Sequence, residues 1–286
     1  MLRAKAPGFG KDMVIIMKIG KQEFDFKNHT YIMGILNVTP DSFSDGGCFN
    51  RLDDALYHVE KMVNEGMDIL DIGGESTRPG YVLVPEEEEA ERVLPIIEAV
   101  KQRFDVPISL DTYKAKVAGE GLLAGADLIN DIWGLKYDEK MARVIADAGA
   151  PCVLMHNRKE AVYRDLIKDV AADLRETLAI AKKAGIREDG IILDPGIGFG
   201  KTCEQNLQIL YSLKELSALG YPLLLGASRK SVVGLTLDLP VAERLEGTIV
   251  TTVFGVLAGC AFVRVHDIKE NVRAVKMAEA VLHSGR

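Results

Sequence analysis

Short apolar runs alternate with segments of helical periodicity along almost the whole chain. The first run, residues 31–36, has the length of a buried strand and ends at Asn37, where a loop rich in Pro, Ser, Asp and Gly begins. Residues 53–65 then place apolar side chains at helical spacing, and Gly66 ends this predicted helix. The pattern therefore predicts a buried strand that delivers a polar side chain at its C-terminal end, followed by a loop and a helix.

The same unit recurs down to the C-terminus. Further strands are predicted at residues 69–72, 108–110, 128–129, 152–155, 191–193, 223–225 and 262–265. Further helices are predicted at 86–104, 113–123, 138–148, 205–216, 242–257 and 269–282, with one long helix that carries Val162, Leu166, Val170, Leu174 and Leu178 on one face. Short strands that alternate with helices imply a parallel sheet.

The eight units recur at intervals of ~31 residues, which is the length per unit of a ~250-residue barrel with eight strand–helix units. An open doubly wound sheet is the alternative, but it requires a nucleotide fingerprint at its first turn, and residues 37–40 (NVTP) are unlike one. We therefore predict an α/β fold with a single (β/α)8 TIM barrel over residues 14–286. Residues 14–26 predict a short N-terminal β-hairpin that turns at Gly20-Lys21 and covers the bottom of the barrel. Residues 1–13 are an N-terminal extension of unknown role.

Composition narrows the class of protein. The chain has 286 residues, 48% of them hydrophobic, and its formal charge of -7 argues against nucleic acid as a partner. Cys48, Cys152, Cys203 and Cys260 are scattered without CxxC pairing, which favours neither a disulfide framework nor a zinc site and suits a reduced cytoplasm. The apolar stretch at 13–17 is too short for a signal sequence or a membrane span, so we expect a cytoplasmic protein with no membrane partner.

A ring of polar residues at the C-terminal strand ends is the candidate site, since barrel active sites lie on that face. Its members are Asn37, Asp111, Asn130, His156, Asp194, Lys230, Arg264 and His266. Any one of them alone is more often a helix cap or a satisfied loop group, and Asp194 has the alternative role of capping the turn before Pro195.

The chemistry of the ring suggests two ligand groups. Asp111, Asn130 and Asp194 offer two carboxylates and an amide, with no evident nucleophile–base pair, and they suit a flat heterocycle rich in N–H donors. Arg264 and His266 precede the last predicted helix, and barrels often bind phosphate around strands seven and eight. We therefore expect a phosphate or diphosphate group near Asn37, Arg264 and His266.

Two other motifs do not point to a site. GIGFGKT at 196–202 resembles a P-loop, but it is one residue too short and Pro195 stands where the first Gly should be. Gly255 and Gly259 form a GxxxG pattern in an apolar stretch too short for a membrane helix, which favours close packing of that helix on the barrel.

Motifs spread from the first strand to the last resemble those of the dihydropteroate synthase family of folate biosynthesis. They are NVTPDSFSDGG (37–47), GGESTRPG (73–80), SLDTYK (109–114), NDIWG (130–134), DPGIGFGK (194–201), GASRKS (226–231) and RVHD (264–267). The first two and GASRKS are highly specific, and the motifs cover nearly everything after residue 13. The resemblance implies a pterin-binding barrel domain that condenses 6-hydroxymethyl-7,8-dihydropterin diphosphate with 4-aminobenzoate, with Mg2+, to give 7,8-dihydropteroate and diphosphate.

The resemblance also implies roles for the residues that match the family's motifs. The positions expected to bind the pterin are Asp111, Asn130, Met155, Asp194, Phe199, Gly226 and Lys230. Those expected to hold the diphosphate are Asn37, which would also bind Mg2+, and Thr77, Arg78, Arg264, Val265 and His266. Those expected on the 4-aminobenzoate side are Phe43, Pro79 and Ser231, and the expected catalytic residues are Asp45, Lys230 and Arg264. Members of this family are homodimers that pack through their last helices and are sulfonamide targets, so we expect both properties here.

The expected chemistry suits these residues. An arylamine is neutral and nucleophilic at pH 7, so the difficult step is loss of diphosphate from a CH2 carbon, which Mg2+, arginine and a helix N-terminus assist. We favour a dissociative displacement in which Asp45 stabilises the cation. One alternative is a pterin-binding methyltransferase that serves a corrinoid protein, and another is a non-enzymatic paralogue. The first would have no use for the loops at 37–47 and 73–80, and the second should show damage in them, but both loops are intact.

Overall fold

The computed structural model describes residues 16–38, 48–75 and 83–285, with the backbone alone for 48–51. The strands in these ranges are β1 (Ile16–Ile19), β2 (Gln22–Asp25), β3 (Tyr31–Asn37), β4 (Ile69–Gly73), β5 (Ile108–Asp111), β6 (Leu128–Asp131), β7 (Cys152–Met155), β8 (Ile191–Asp194), β9 (Leu224–Leu225) and β10 (Phe262–Val265). The helices are α1 (Cys48–Asn64), α2 (Glu86–Arg103), α3 (Ala115–Ala124), α4 (Met141–Ala148), α5 (Leu166–Ala184), α6 (Cys203–Tyr211), α7 (Leu213–Leu216), α8 (Ser231–Leu237), α9 (Leu245–Ala258) and α10 (Ile268–Ser284).

Strands β3 to β10 form one parallel sheet of eight strands in the order β8–β7–β6–β5–β4–β3–β10–β9. A single parallel bridge between Leu193 in β8 and Leu223, just before β9, joins the two edges. The backbone N–H of Leu193 donates to the carbonyl of Pro222 at 2.9 Å across the same junction. The sheet therefore curls into a nearly closed barrel with helices around it, and the predicted (β/α)8 fold is confirmed.

The N-terminal hairpin of β1 and β2 closes the bottom of the barrel, as predicted. Its turn lies at Gly20-Lys21, and Ile19 pairs with Gln22. Met17, Ile19, Phe24 and Phe26 are buried. They pack in one cluster with residues near the N-terminal ends of the barrel strands, namely Met33, Ile69, Leu128, Val153, Ile192, Leu224 and Phe262. The opposite end of the barrel, where the strands finish, is left for the polar rim.

The main apolar core lies between the sheet and the helices. Close packing of α9 on the barrel, predicted from its two glycines, is confirmed at the first of them, because a Cβ placed on Gly255 would lie 3.0 Å from Leu225 Cδ2. Gly259 instead ends α9 in the left-handed region, at φ 80°, with no atom near the position of a Cβ. Within the described residues, no helix is both long and apolar enough to cross a membrane.

Two predicted helices differ from the structure, and one helix was not predicted. α5 begins at Leu166 with Asp165 as its N-cap, so Val162 lies before it, and the side chain of Val162 is 69% exposed rather than on the buried face. The helix predicted at 205–216 is interrupted at Ser212, which separates α6 from α7. α8 was not predicted, because its Val-Val-Gly sequence has low helix propensity, and burial of Val232 and Val233 overrides that preference.

Candidate active site

The sheet register brings the predicted rim residues together. Gly73 of β4 pairs with Asp111 of β5, and Asp111 pairs with Asn130 of β6. Further round the barrel, Met155 of β7 pairs with Asp194 of β8. Because the strands are parallel, these side chains stand at the same C-terminal rim, where barrel enzymes place their active sites.

Arg264 of β10 joins two carboxylates of the barrel interior. Its Nε donates to Asp71 Oδ2 at 2.6 Å, and its Nη2 donates to Asp111 Oδ2 at 2.7 Å. Burial alone would lower the pKa of Arg264, but the two carboxylates outweigh burial and raise it. The guanidinium is therefore a permanent cation at this rim, fixed in orientation by bonds to two other strands.

The carboxyl group of Asp111 has, within the described part of the chain, one oxygen without a partner, and its pKa is raised. Its Oδ1 is buried and has no hydrogen-bond partner among the described residues. Burial raises the pKa of Asp111 to about 7, with Arg264 opposing that rise and Asp71 adding to it. A buried oxygen without a partner is rare in proteins, so this atom is the position where a ligand's N–H donor is expected.

Asp194 and Gly226 shape the floor of the site. Asp194 Oδ1 accepts a hydrogen bond from the backbone N–H of Gly196 at 2.7 Å, and burial raises the pKa of this carboxyl. A Cβ placed on Gly226 would lie 3.7 Å from both Asp194 Oδ2 and Lys230 Nζ, and 3.9 Å from Arg264 Cβ. The absence of a side chain on Gly226 therefore leaves a space bounded by one acidic residue, Asp194, and two basic residues, Lys230 and Arg264.

Lys230 is placed on this floor by a strained turn. Its Nζ donates to the carbonyl of Ile197 at 2.6 Å and lies 4.7 Å from the centre of the Phe199 ring. Burial lowers the pKa of Lys230 to about 8, with Asp194 opposing the decrease. The preceding residue, Arg229, has a left-handed φ of 55°, and its guanidinium is held by Asp267. Such strain persists where surrounding contacts enforce it, and it is typical of functional sites.

An apolar wall stands beside the acidic floor. Met155 packs in one cluster with Tyr113 and Ile132, and the half-buried Trp133 and Phe199 contact that cluster. The indole Nε1 of Trp133 is buried and has no hydrogen-bond partner among the described residues. A wall of this kind suits the face of a planar heterocycle. Because Trp133 is the only tryptophan of the chain, its fluorescence reports on this wall.

His156 belongs to the predicted ring, but its side chain points into the protein interior, toward Asp173 and Lys201. Its Nε2 lies 2.9 Å from Asp173 Oδ2, and its Nδ1 lies 2.8 Å from Lys201 Nζ. Burial, followed by the charge of Lys201, lowers the pKa of His156 to about 3, so the ring is neutral. With both ring nitrogens engaged, His156 supports the turn after β8 and is not presented to a ligand.

Lys201 stabilises that same turn, a role that the sequence did not reveal. Its Nζ also donates to the carbonyls of Gly196 at 2.9 Å and Phe199 at 3.0 Å. Burial lowers the pKa of Lys201 to about 7. A Cβ placed on Gly196 would lie 1.9 Å from the carbonyl oxygen of His156, so no other residue fits there. The P-loop-like residues therefore form a tight turn that carries Phe199, and not a loop around a phosphate.

The residues expected at the diphosphate and arylamine are only partly described. Asn37 lies at the rim, with its Oδ1 3.9 Å from a Cβ placed on Gly73. Val265 is buried at the end of β10, His266 Nδ1 lies 3.0 Å from Ser228 Oγ, and Ser231 begins α8 with its side chain exposed. The expected residues Phe43, Asp45, Thr77, Arg78 and Pro79 lie outside the described residues.

Asp71 is another residue of the site that sequence reasoning missed. Its side chain is 0% exposed, and it binds Arg264 from the middle of β4. A signal was present, since an aspartate interrupts the apolar run Ile-Leu-Asp-Ile of a buried strand. Charged residues are rarely buried without a partner, so this position implied a cation elsewhere in the barrel.

The fold and the site define a (β/α)8-barrel enzyme. Its C-terminal mouth has a buried acidic floor, the basic side chains of Lys230 and Arg264, and an apolar wall. Residues 33–266 match the family model described as pterin binding enzyme. A dihydropteroate synthase of Clostridium beijerinckii is 59% identical over 267 residues, covering 93% of this chain and 99% of the relative. The chain therefore belongs to the pterin-binding enzyme family and, within it, to the dihydropteroate synthases, the pterinylmethyl transferases of folate biosynthesis.

Solved structures agree with this assignment. A dihydropteroate synthase from Clostridium difficile, solved in the presence of pteroic acid, has a TM-score of 0.89 and 51% identity, covering 90% of this chain and 98% of that one. The Yersinia pestis enzyme, solved as a sulfonamide drug complex, has a TM-score of 0.88 and 43% identity, covering 94% of this chain and 99% of that one. Both coverages extend over nearly the whole barrel.

Proposed function

We propose that this barrel mouth condenses 6-hydroxymethyl-7,8-dihydropterin diphosphate with 4-aminobenzoate to give 7,8-dihydropteroate and diphosphate. The observation that carries the proposal is the floor around Gly226, where Asp194 Oδ2 and Lys230 Nζ lie 3.7 Å from the position of a Cβ. The pteroic acid named for the Clostridium difficile structure joins the two halves of this product, a pterin and an aminobenzoate.

The pterin would lie over Gly226 and against the wall of Met155 and Phe199. Its guanidine-like edge offers several N–H donors, and acceptor oxygens on Asp194 and Asp111 match them. The buried Asp111 Oδ1, which lacks a described partner, would gain one. Lys230 would complement an acceptor of the ring, since its ammonium is both buried and adjacent to Asp194.

The diphosphate would bind near Arg264, close to Asn37 at the end of β3, Val265 at the end of β10 and His266 directly after β10. Nε and Nη2 of Arg264 are occupied by carboxylates, and no described residue accepts from Nη1, which is therefore available for a phosphate oxygen. Thr77 and Arg78 are proposed to complete this subsite from their motif match. Arg264 would stabilise the charge that develops on the departing diphosphate.

Mg2+ is proposed as the cofactor, and the donor set fits it. Within the described residues no group of three His, Cys, Asp or Glu side chains is placed to hold a metal. Mg2+ typically uses one or two protein oxygens and completes its shell with water and substrate phosphates. The Asn37 side-chain oxygen at the rim is a ligand of that type. When bound, Mg2+ would neutralise charge on the leaving diphosphate.

Because the arylamine of 4-aminobenzoate is already a neutral nucleophile, the site needs no strong general base. We propose that Lys230 and Asp194 orient the pterin so that its CH2 carbon loses diphosphate toward Arg264, and that Asp45 stabilises the resulting cation. Ser231 at the start of α8, with Phe43 and Pro79, would hold the aminobenzoate for attack on that carbon. The proton lost from the arylamine nitrogen would pass to solvent or to the departing diphosphate.

Three further properties belong to the proposal. A homodimer through the last helices is supported by exposed apolar side chains at helical spacing on α9 and α10, namely Val250, Phe254, Leu257, Met277 and Val281. Sulfonamide inhibition is supported by the drug complex named for the Yersinia pestis structure. A cytoplasmic location remains a prediction from the scattered cysteines.

The function is tested by measuring diphosphate release with Mg2+ and each substrate alone or together. Release should require both the pterin diphosphate and 4-aminobenzoate, and the organic product should be 7,8-dihydropteroate. Release with the pterin diphosphate alone at the same rate would show hydrolysis and contradict the proposal. Lys230→Met should abolish turnover, whereas Lys214→Met, on the exterior helix α7, should leave it unchanged.

A further inference from the structure

Asp71 links four strands of the barrel through one buried carboxylate. From β4 it accepts hydrogen bonds from Arg264 Nε of β10 at 2.6 Å and from Ser109 Oγ of β5 at 2.5 Å. The amide nitrogen of Asn130 in β6 lies 3.4 Å from Oδ1 and 3.5 Å from Oδ2. Two of these partners, Arg264 and Asn130, are among the residues that we place at the pterin diphosphate.

We propose that Asp71 is a positioning residue that fixes the orientation of Arg264 and Asn130 for binding the pterin diphosphate. A carboxylate only accepts hydrogen bonds, so Asp71 directs the NH2 group of Asn130 toward itself and leaves the amide oxygen for an N–H donor of the pterin. It also holds Nε of Arg264, so the free edge of the guanidinium is presented in one direction. This inference rests on the proposed function.

The negative charge of Asp71 also raises the pKa of Asp111. The groups that face Asp111 are Arg264 of β10, Asp71 of β4, Glu89 of α2 and Lys230 after β9. The negative charges of Asp71 and Glu89 add to the effect of burial and raise the pKa of Asp111, whereas Arg264 and Lys230 oppose them. Neutralising Asp71 should therefore lower the pKa of Asp111, a change that a loss of packing alone would not produce.

The test compares Asp71→Asn with Ser109→Ala, which removes one hydrogen bond to Asp71 and leaves every charge in place. In Asp71→Asn the new NH2 group faces either Arg264 Nε, or Ser109 Oγ together with the NH2 group of Asn130. In either orientation Arg264 or Asn130 loses an acceptor. We expect the KM for the pterin diphosphate to rise by about tenfold or more, because a buried donor loses its acceptor. The KM for 4-aminobenzoate should change far less. The acid limb of the pH profile of kcat/KM, which we assign to Asp111, should move to lower pH.

Ser109→Ala should raise the same KM by a smaller factor and leave the acid limb in place. Wild-type values of both the KM and the acid limb in Asp71→Asn would overturn the inference. If circular dichroism shows that Asp71→Asn does not fold, the test rests on Ser109→Ala. An unchanged KM of Ser109→Ala for the pterin diphosphate would then overturn the inference.

Failure of the proposed function is distinguishable from failure of this inference. If the wild-type protein shows no turnover that requires both substrates, the proposed function is wrong. Even then, quenching of Trp133 fluorescence by a pterin gives the pterin Kd of the wild type, Asp71→Asn and Ser109→Ala, and these values can be compared. Equal pterin Kd values in all three proteins would overturn the positioning role, and weaker binding in Asp71→Asn would support it.

Discussion

Replacing Asp194 by asparagine should separate the stability of this protein from its ability to bind a pterin. Asparagine has the shape of aspartate, and its Oδ1 can still accept the Gly196 N–H that Asp194 accepts at 2.7 Å. Its NH2 group then occupies the place of Oδ2 on the floor of the site. A pterin N–H donor would meet a donor there, and Lys230 would lose a neighbouring negative charge.

We expect Asp194→Asn to weaken pterin binding without lowering the free energy of unfolding. An unpaired buried donor costs about 2–3 kcal/mol, which corresponds to a pterin Kd weakened by about 30- to 150-fold. Stability should not fall, because burial raises the pKa of Asp194 above its ordinary value. A carboxyl with a raised pKa favours the folded state at low pH, and that contribution is lost as the pH rises through its folded pKa. Above that folded pKa the ionised carboxylate is a cost to stability, and Asp194→Asn removes it.

The assay is a titration of Trp133 fluorescence with 6-hydroxymethylpterin, since pterins absorb near-ultraviolet light where indole emits. Thermal unfolding at pH 7 and pH 4 gives the stability of the same samples. Asp189→Asn, an exposed aspartate paired with Arg187 at the far end of the barrel, is the matched control and should bind pterin normally. A pterin Kd for Asp194→Asn close to that of the wild type would remove Asp194 from the pterin site.

Three further outcomes are expected. Lys201→Met removes the three hydrogen bonds that hold the turn after β8, so pterin affinity in the fluorescence titration should fall by about tenfold; unchanged affinity would show that the turn holds its shape without them. Gly226→Ala fills the floor with a methyl group that meets only ordinary contacts at 3.7 Å, so pterin binding should weaken while the Tm stays near that of the wild type. A Tm loss with intact pterin binding would contradict this account of Gly226. Chelation of Mg2+ should weaken binding of the pterin diphosphate in calorimetry and leave that of a pterin without diphosphate unchanged, whereas equal effects on both would place the metal away from the leaving group.

The barrel and the identity of most rim residues could be predicted from the sequence, because both depend on local pattern. Each apolar run is long enough for one buried strand, and the first polar residue after it must stand at the C-terminal rim whatever its neighbours are. Asp111, Asn130 and Asp194 were found in this way, and the sheet register places them on the expected strands. The motif match then extended the prediction to Phe43, Asp45, Thr77, Arg78 and Pro79, whose roles remain predictions.

Only the tertiary structure decided which partner each rim side chain takes. Arg264 and Asp71 are 193 positions apart, and closure of the barrel brings them within 2.6 Å. His156 directly follows the end of β7, yet α5 supplies Asp173 and the imidazole is turned away from the barrel mouth. The strand pattern specifies where a side chain emerges, but its direction depends on charges and space contributed by distant segments. Orientation, burial and therefore pKa are properties of the closed barrel and not of any stretch of the chain.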